Sequence, residues 1–192
     1  MNEVEELISP IIHPEPVGVD VHLHSAENFS RLYTHRHLVV YRYVYGLLGG
    51  PAQEVEDLAA ETFERAWRAR HNFHGDEDAA LGWLLKIARR LVIDAYRRHR
   101  TRGVDEALDE TVGFLISENM PETKALEREQ KRILWKLLHE LPANQRELLA
   151  LRYLLGWRVN QMACYLQLTE DTVSARLRRV LIRLRHDWPQ PE

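Results

Sequence analysis

Cysteine is nearly absent: Cys164 is the only one in 192 residues. An intrachain disulfide is therefore impossible, which fits a reducing compartment and a cytoplasmic location. Long apolar runs are missing as well. No segment approaches the ~18 consecutive apolar residues that a spanning helix needs, which argues against membrane insertion. The start, MNEVEELISP, has no basic stretch followed by an apolar one and does not read as a secretory signal. Convincing nucleophile–base pairs and metal triads are also lacking, which argues against an enzyme, a cofactor or a metal centre. His13, His22 and His24 are near one another in sequence. With no cysteine or carboxylate at a ligand spacing, they make a poor zinc site.

Charge is plentiful, and its distribution matters more than its sum of -3. Residues 61–102 hold ten bases against six acids, and 130–160 hold six against two. Residues 1–60 carry nine acids and three bases, and 103–129 carry eight and two. Two basic surfaces, separated and preceded by acidic segments, are the expectation.

Every segment able to form a core has a helical period. Phe29 to Leu48 places Leu32, Tyr33, Leu38, Val39, Tyr43, Val44, Leu47 and Leu48 on a wide apolar face, and Gly49, Gly50 and Pro51 end it. A second helix restarts near Pro51, with Val55, Leu58, Ala59, Phe63, Ala66 and Trp67 inward. Residues 71–80, HNFHGDEDAA, read as a loop. Leu81 to Arg98 resumes the period through Leu84, Ile87, Ala88, Leu91, Val92 and Ala95. The cations Lys86, Arg89, Arg90, Arg97, Arg98, Arg100 and Arg102, opposed within 86–102 only by Asp94, exceed what a solvated face needs and suit a phosphate backbone. Ahead of these helices, Val17 to Ser25 alternates like a short extended stretch.

Residues 103–120 read as an acidic linker, whose Val112, Phe114, Leu115 and Ile116 suggest partial docking. Beyond it, helices are expected at 121–140, 143–155, 159–166 and from Thr169 to about Arg185. Pro142 starts the second of these, Gly156 closes it, and Thr169 is placed to cap the last. Cys164 is expected to be half-buried. A tight turn joining a short apolar helix to an arginine-dense one is a helix-turn-helix pattern, whose second member can enter a DNA major groove. The fold class is therefore all-α: two small helical domains joined by an acidic linker, the C-terminal one containing a helix-turn-helix.

DLAAETFERAWRA at 57–69 and WLLKIARRLVIDAYRRHR at 83–100 resemble region 2 of the extracytoplasmic-function (group 4) sigma factors of bacterial RNA polymerase. LPANQRELLALRYLLGW and TEDTVSARLRRVLIRL resemble region 4. The resemblance implies an N-terminal extension at 1–28, a region 2-like domain at 29–102, the linker at 103–120, a region 4-like domain at 121–186 and a tail at 187–192. It implies an alternative sigma factor that binds core RNA polymerase, recognises -10 and -35 promoter elements and promotes initiation. Asp57, Glu61, Phe63, Arg65, Trp67 and Arg68 would meet the clamp helices of the largest subunit, although Phe63 and Trp67 also suit a core.

On the same resemblance, Asn72, Phe73, His74, Trp83, Lys86, Arg89, Arg90, Arg97 and Arg98 would handle the -10 element. Trp83 fits equally a wedge at the duplex edge or the first core residue of its helix. Arg146, Arg158, Thr169, Glu170, Asp171, Thr172, Ser174, Arg176, Arg178, Arg179 and Arg183 would serve the -35 element. Among these Arg176 is the base reader, and Arg178, Arg179 and Arg183 hold phosphate. Promoter DNA and core polymerase are thus the implied partners, with an anti-sigma factor or another regulator a further one. The chain departs from the family at Asn160-Gln161, where an acidic pair is usual, at Gln167, where glycine is usual, and at Ser174. Two alternatives remain open. A helix-turn-helix regulator acting without polymerase would explain 141–185 but leave 51–100 unused, and a protein-binding adaptor would need scattered basic patches.

Overall fold

The computed structural model describes residues 23–102 and 124–189, all of whose regular elements are helical. His13, His22, the 103–120 linker with its apolar residues, and the last residues of the tail lie outside the described residues. The described chain falls into two compact units, one holding 23–102 and the other 124–189.

In the first unit α1 spans Ala26–Leu48, α2 Ala52–Ala69 and α3 Glu77–Arg102. Ser25 begins α1, its hydroxyl accepting from the Asn28 amide at 3.1 Å and so satisfying a donor that no intrahelical carbonyl reaches. The part of the supposed extended stretch that is described, Leu23 to Ser25, is instead a turn and a bend leading into this cap. Gly49 ends α1 in the left-handed region at φ 59, with its amide on the Tyr45 carbonyl. Pro51 then opens α2, where its missing amide costs nothing.

The expected loop at 71–80 is shorter than the sequence suggests. Arg70–Asn72 form a 3-10 turn, and α3 starts at Glu77 because Asp76 acts as its cap. The Asp76 carboxylate accepts from the Ala79 amide at 2.7 Å, and its carbonyl accepts from Ala80 at 2.9 Å. Missing apolar periodicity was misleading here, because a helix's first turn needs a cap more than a buried stripe.

These helices pack pairwise around Leu32, Val40, Tyr43 and Val44 of α1, Val55, Leu58 and Ala66 of α2, and Leu84, Leu85, Leu91 and Val92 of α3. Each such side chain taken from water contributes about 1.5–3 kcal/mol. Tyr33 and Leu38, expected inside, are exposed; the buried stripe of α1 is narrower than its composition. Two polar ties fix the packing. Tyr96 donates to the Leu47 carbonyl at 2.8 Å, and His99 Nε2 lies 2.9 Å from Glu54 Oε1. Burial against its surroundings, with Glu56 nearby, raises the Tyr41 phenol pKa.

In the second unit α4 spans Lys124–Glu140 and α5 Ala143–Leu149, continued by a π-helical stretch at Ala150–Leu154. The wide turn brings the Leu155 amide onto the Ala150 carbonyl at 3.0 Å, and Gly156 at φ 66 closes it. Then come α6, Val159–Leu166, and α7, Glu170–Asp187. Between them lies the tight turn of a helix-turn-helix. Gln167 is the only positive-φ residue other than glycine among the described residues, at φ 56 and ψ 46. Leu168 donates to the Ala163 carbonyl at 3.0 Å and Gln167 to Cys164 at 3.3 Å, the paired bonds of a Schellman motif. Thr169 caps α7, its hydroxyl accepting from the Thr172 amide at 3.2 Å. Cys164, expected half-buried, is exposed on α6. Among the described residues no helix is long and apolar enough to cross a membrane.

A side chain in the left-handed region costs about 1 kcal/mol that glycine avoids. Gln167→Gly is therefore expected to stabilise the second unit by roughly that amount in urea unfolding followed by circular dichroism. An unchanged or lower midpoint would show that the Gln167 side chain supports the turn in some other way.

Candidate nucleic-acid and polymerase interfaces

Three helical faces carry the sequence-derived site residues, and each lies opposite a buried stripe. On α2, Asp57, Glu61, Arg65 and Arg68 recur at intervals that keep them on one side of the helix. Asp57, Arg65 and Arg68 are exposed and Glu61 is half-buried. Arg65 Nη2 meets Glu61 at 2.6 Å, Arg68 pairs with Glu64, and Gln53 donates to Asp57 at 3.1 Å. Exposed pairs of this kind add little stability. What they do is present an ordered row of charge, acidic toward the start of the helix and basic toward its end.

Phe63 and Trp67 do not belong to that row. Phe63 is 5% exposed and meets Tyr33 edge-on, with ring centroids 4.9 Å apart. Trp67 is half-buried against Phe29 at 5.1 Å. Phe63 is thus a core residue rather than a surface ridge, because its position shares the buried stripe with Leu58, Ala59 and Ala66.

On α3 the buried series Leu84, Leu85, Ala88, Leu91, Val92 and Ala95 puts Lys86, Arg90 and Arg97 directly opposite at 100° per residue. The three span about 16 Å of helix axis at 1.5 Å per residue. Arg89 and Arg98 flank them, and all five are exposed. Arg97 has Asp94 at 3.7 Å. Among the described residues the side chains of Lys86, Arg90 and Arg98 have no ion-pair or hydrogen-bond partner, which leaves them open to an external anion.

The turn before α3 divides its residues between interior and surface. Phe73 is 8% exposed and packs against Trp83 at 5.0 Å and 32°. A Cβ on Gly75, whose φ is 153, would lie 2.8 Å from the Ala79 Cβ and 3.3 Å from the Phe73 ring, so the turn requires glycine chiefly to clear Ala79 at the start of α3. Phe73 as a base-stacking surface residue is therefore corrected: it is the wedge that fixes the turn. Trp83 is half-buried over it, while Asn72 and His74 are exposed. Arg70, absent from the sequence-derived set, sits 3.5 Å from the Trp67 ring centroid and donates to the Trp67 carbonyl at 2.7 Å. The i,i+3 spacing of Trp67 and Arg70 is the signal that could have found this contact.

On α7 the buried residues are Val173, Leu177, Val180 and Leu184. Directly outward from them lie Asp171, Ala175, Arg178, Arg179 and Ile182, with Arg176 and Arg183 to one side and Ser174 to the other. Glu170, Asp171, Ser174, Arg176, Arg178, Arg179 and Arg183 are exposed, as is Arg158 ahead of α6, and Thr169 and Thr172 bond each other at 2.8 Å. Arg179 Nε donates back to the Ala175 carbonyl at 3.3 Å, and Arg183 has Asp187 at 3.5 Å. Among the described residues Arg176 and Arg178 have no such partner. Gln161, one of the departures from the family, completes the start of α6 by accepting from the Arg158 amide at 2.9 Å.

Arg146 must be withdrawn from the set. It is 6% exposed beside the 3% exposed Glu147, and its Nη1 donates to the His139 carbonyl at 3.5 Å. Its position on the inner side of α5 makes it a tie between helices. Hydrogen bonding from His186, aided by Arg183, lowers the Asp187 carboxyl pKa. Among the described residues no cluster of three histidine, cysteine or acidic side chains is arranged to hold a metal ion.

Two helical units, one with a helix-turn-helix and both with arginines on outward faces, have the make-up of a nucleic-acid-binding protein. A family model described as Sigma-70 region 2 matches residues 32–102, and one described as Sigma-70, region 4 matches residues 131–184. The chain is 32% identical over 154 residues to the ECF RNA polymerase sigma factor SigL of Mycobacterium tuberculosis, covering 80% of this chain and 85% of the relative. It is 35% identical over 169 residues to the ECF RNA polymerase sigma factor BldN of Streptomyces coelicolor, covering 84% of this chain and 62% of that one. A solved structure of the sigma factor RpoE with the anti-sigma factor NepR from Bartonella quintana has a similar fold, with a TM-score of 0.57 at 22% identity, covering 84% of this chain and 97% of that one. The chain belongs to the extracytoplasmic-function family of RNA polymerase sigma factors. Sigma factors are not enzymes.

Phe73→Ala is expected to destabilise the first unit by about 3–5 kcal/mol in urea unfolding; stability equal to the parent would return Phe73 to the surface. A carboxyl held low in the folded helix contributes stability above the unfolded aspartate range and loses it as pH falls through its own folded value. Asp187 is therefore expected to titrate below the ordinary ~3.9 by carbon-13 NMR, and His186→Ala to move it back up.

Proposed function

We propose that the protein is an alternative sigma factor that docks on core RNA polymerase, opens DNA at a -10 element and holds a -35 element as duplex. The observation that carries this reading is the pairing, in one chain of this family, of an outward cation row on α3 with an outward arginine set on the helix-turn-helix.

Charge and geometry support a separate task for each face. The α2 row of Asp57, Glu61, Arg65 and Arg68 suits the polar rim of a protein groove, and the clamp helices of the largest polymerase subunit are the partner. Lys86, Arg89, Arg90, Arg97 and Arg98 neutralise the phosphates of the separated strand, releasing counterions. Thr169, Glu170, Asp171, Thr172 and Ser174 bring the first turns of α7 to the major groove, where Arg176 grips a guanine edge. Arg158, Arg178, Arg179 and Arg183 fix register on the backbone. Bases leave the stack at a cost of a few kcal/mol, which binding must offset. The solved relative is held by an anti-sigma factor, and an inhibitor of that kind extends to this chain as a regulator. The cytoplasm is where these partners would be met.

Full-length protein mixed with core polymerase is expected to initiate transcripts from a randomised promoter library, and neither component alone to do so. Arg176→Ala should relax preference at one -35 position by about 1–3 kcal/mol. Arg178→Ala should weaken all sequences alike and reduce the salt slope by about one. Lack of initiation with core polymerase, together with duplex footprints by the protein alone, would favour an ordinary repressor or activator instead.

A further inference from the structure

Tyr33 is a large apolar ring that the packing of the first unit leaves 48% exposed, although Leu32, Val40 and Val44 of the same helix are buried. It belongs to a row. Phe29, Tyr33, His37 and Tyr41 follow one another at four-residue steps along α1, so they lie along one side of the helix. α2 runs back past them. Trp67 meets Phe29 and Phe63 meets Tyr33, and Tyr41 feels the charge of Glu56. That register puts the exposed Ala60 level with His37. The Tyr33 and His37 rings are stacked, 5.3 Å apart and 18° from parallel. His37 Nδ1 donates to the Tyr33 and Thr34 carbonyls at 3.2 and 3.1 Å, which fixes its ring. The seam between α1 and α2 thus reaches the surface as an aromatic ridge with a small residue beside it.

The chain enters α1 at one end of this seam. Leu23 is 0% exposed, and the His24 carbonyl accepts from Arg70 Nε at 3.5 Å. Arg70 in turn lies over the Trp67 ring, so the residues ahead of Leu23 start out beside Trp67. They precede the region 2 match, which begins at residue 32. Their sequence includes SPIIHPEPVG at 9–18, with Pro10, Pro14 and Pro16 close together. Proline fixes φ and favours the polyproline II helix. Segments of that kind dock on aromatic-lined grooves, because little conformational freedom is left to lose. Pro16 to Leu23 can span about 22 Å in that conformation. Ala26 to Tyr33 rises only about 10 Å along α1, so Pro14 and Pro16 can reach both rings.

We propose that the α1–α2 seam is a docking surface for the chain's own leader, with Pro14 and Pro16 seated against the Tyr33 and His37 rings beside Ala60. Docking in cis covers the exposed Tyr33. Asp57, Glu61, Arg65 and Arg68 turn to the other side of α2 and stay open. The assignment stands independently of the promoter reading.

The test uses full-length protein with Cys164→Ser, an exposed position, and Ile12→Cys carrying a nitroxide label. Paramagnetic relaxation enhancement is read at the backbone amides. Tyr33, His37 and Ala60 are expected to broaden, to the same extent on dilution. Pro14→Ala and Pro16→Ala, which lie outside the helices, should each lower the docked-to-free ratio about fourfold, as loss of one buried methylene does. Tyr33→Leu, apolar but without the ring, should lose most of the enhancement. Tyr33→Phe should stay within about twofold of the parent, since it keeps the ring face. Docking is overturned by an absence of enhancement at these amides, or by enhancement centred on Arg31, His35 and Arg42 on the opposite side of α1. Enhancement that both proline variants leave unchanged overturns it too. Broadening that appears only between labelled and unlabelled molecules assigns the seam to a second copy and likewise overturns docking in cis.

Discussion

Desolvating an arginine or lysine charge is costly, and this constraint orders nearly every surface of the molecule. An amphipathic helix that buries one stripe has to turn its cations to the opposite side, so packing and charge display are one decision. In α3 the buried run from Leu84 to Ala95 fixes where Lys86, Arg90 and Arg97 point as firmly as any contact they make. In α7, Val173, Leu177, Val180 and Leu184 do the same for Arg178 and Arg179. Arg36 and Arg146 are the exceptions, each 6% exposed. Both sit at helix positions within the apolar stripe, and Arg146 reaches a main-chain carbonyl there.

That coupling explains which parts of the architecture could be read from residues alone. Helical period, Gly49, Pro51, Pro142, Gly156 and the Thr169 cap are local signals, and each acts where its chemistry predicts. The positive φ of Gln167 has no local signal of its own and was hinted at only by the family resemblance, which puts glycine at that turn. The start of α3 was not legible from apolar period, because Asp76 works through hydrogen bonds to Ala79 and Ala80 rather than through burial. The π-helical stretch after α5 has no composition of its own and depends on how the second unit packs.

The site residues divide along the same line. Long cations at helical spacing could be assigned to an outward face with nothing but the period. Aromatics could not, because a ring serves a core as well as a ligand. Phe63 and Phe73 are buried by partners distant in sequence, Tyr33 and Trp83 respectively. The pairing of Arg70 with the His24 carbonyl joins positions 46 residues apart, and no spacing rule reaches that far.

The two basic faces also differ in a way that suits different substrates. The cations of α3 run along one helix line for about 16 Å, a one-dimensional array that can follow a single flexible backbone. Those of α7 spread across a broad arc around Ala175, with acids Glu170 and Asp171 in the first turn. A bare line of charge would hold any strand, whereas acids among arginines penalise wrong contacts as well as rewarding right ones, and discrimination depends on that difference. The acids also complement the N-terminal end of the helix dipole, so their presence costs the helix nothing. On the proposed function, selectivity for duplex on one unit and tolerance for single strand on the other would follow from how charge is laid over two helical scaffolds.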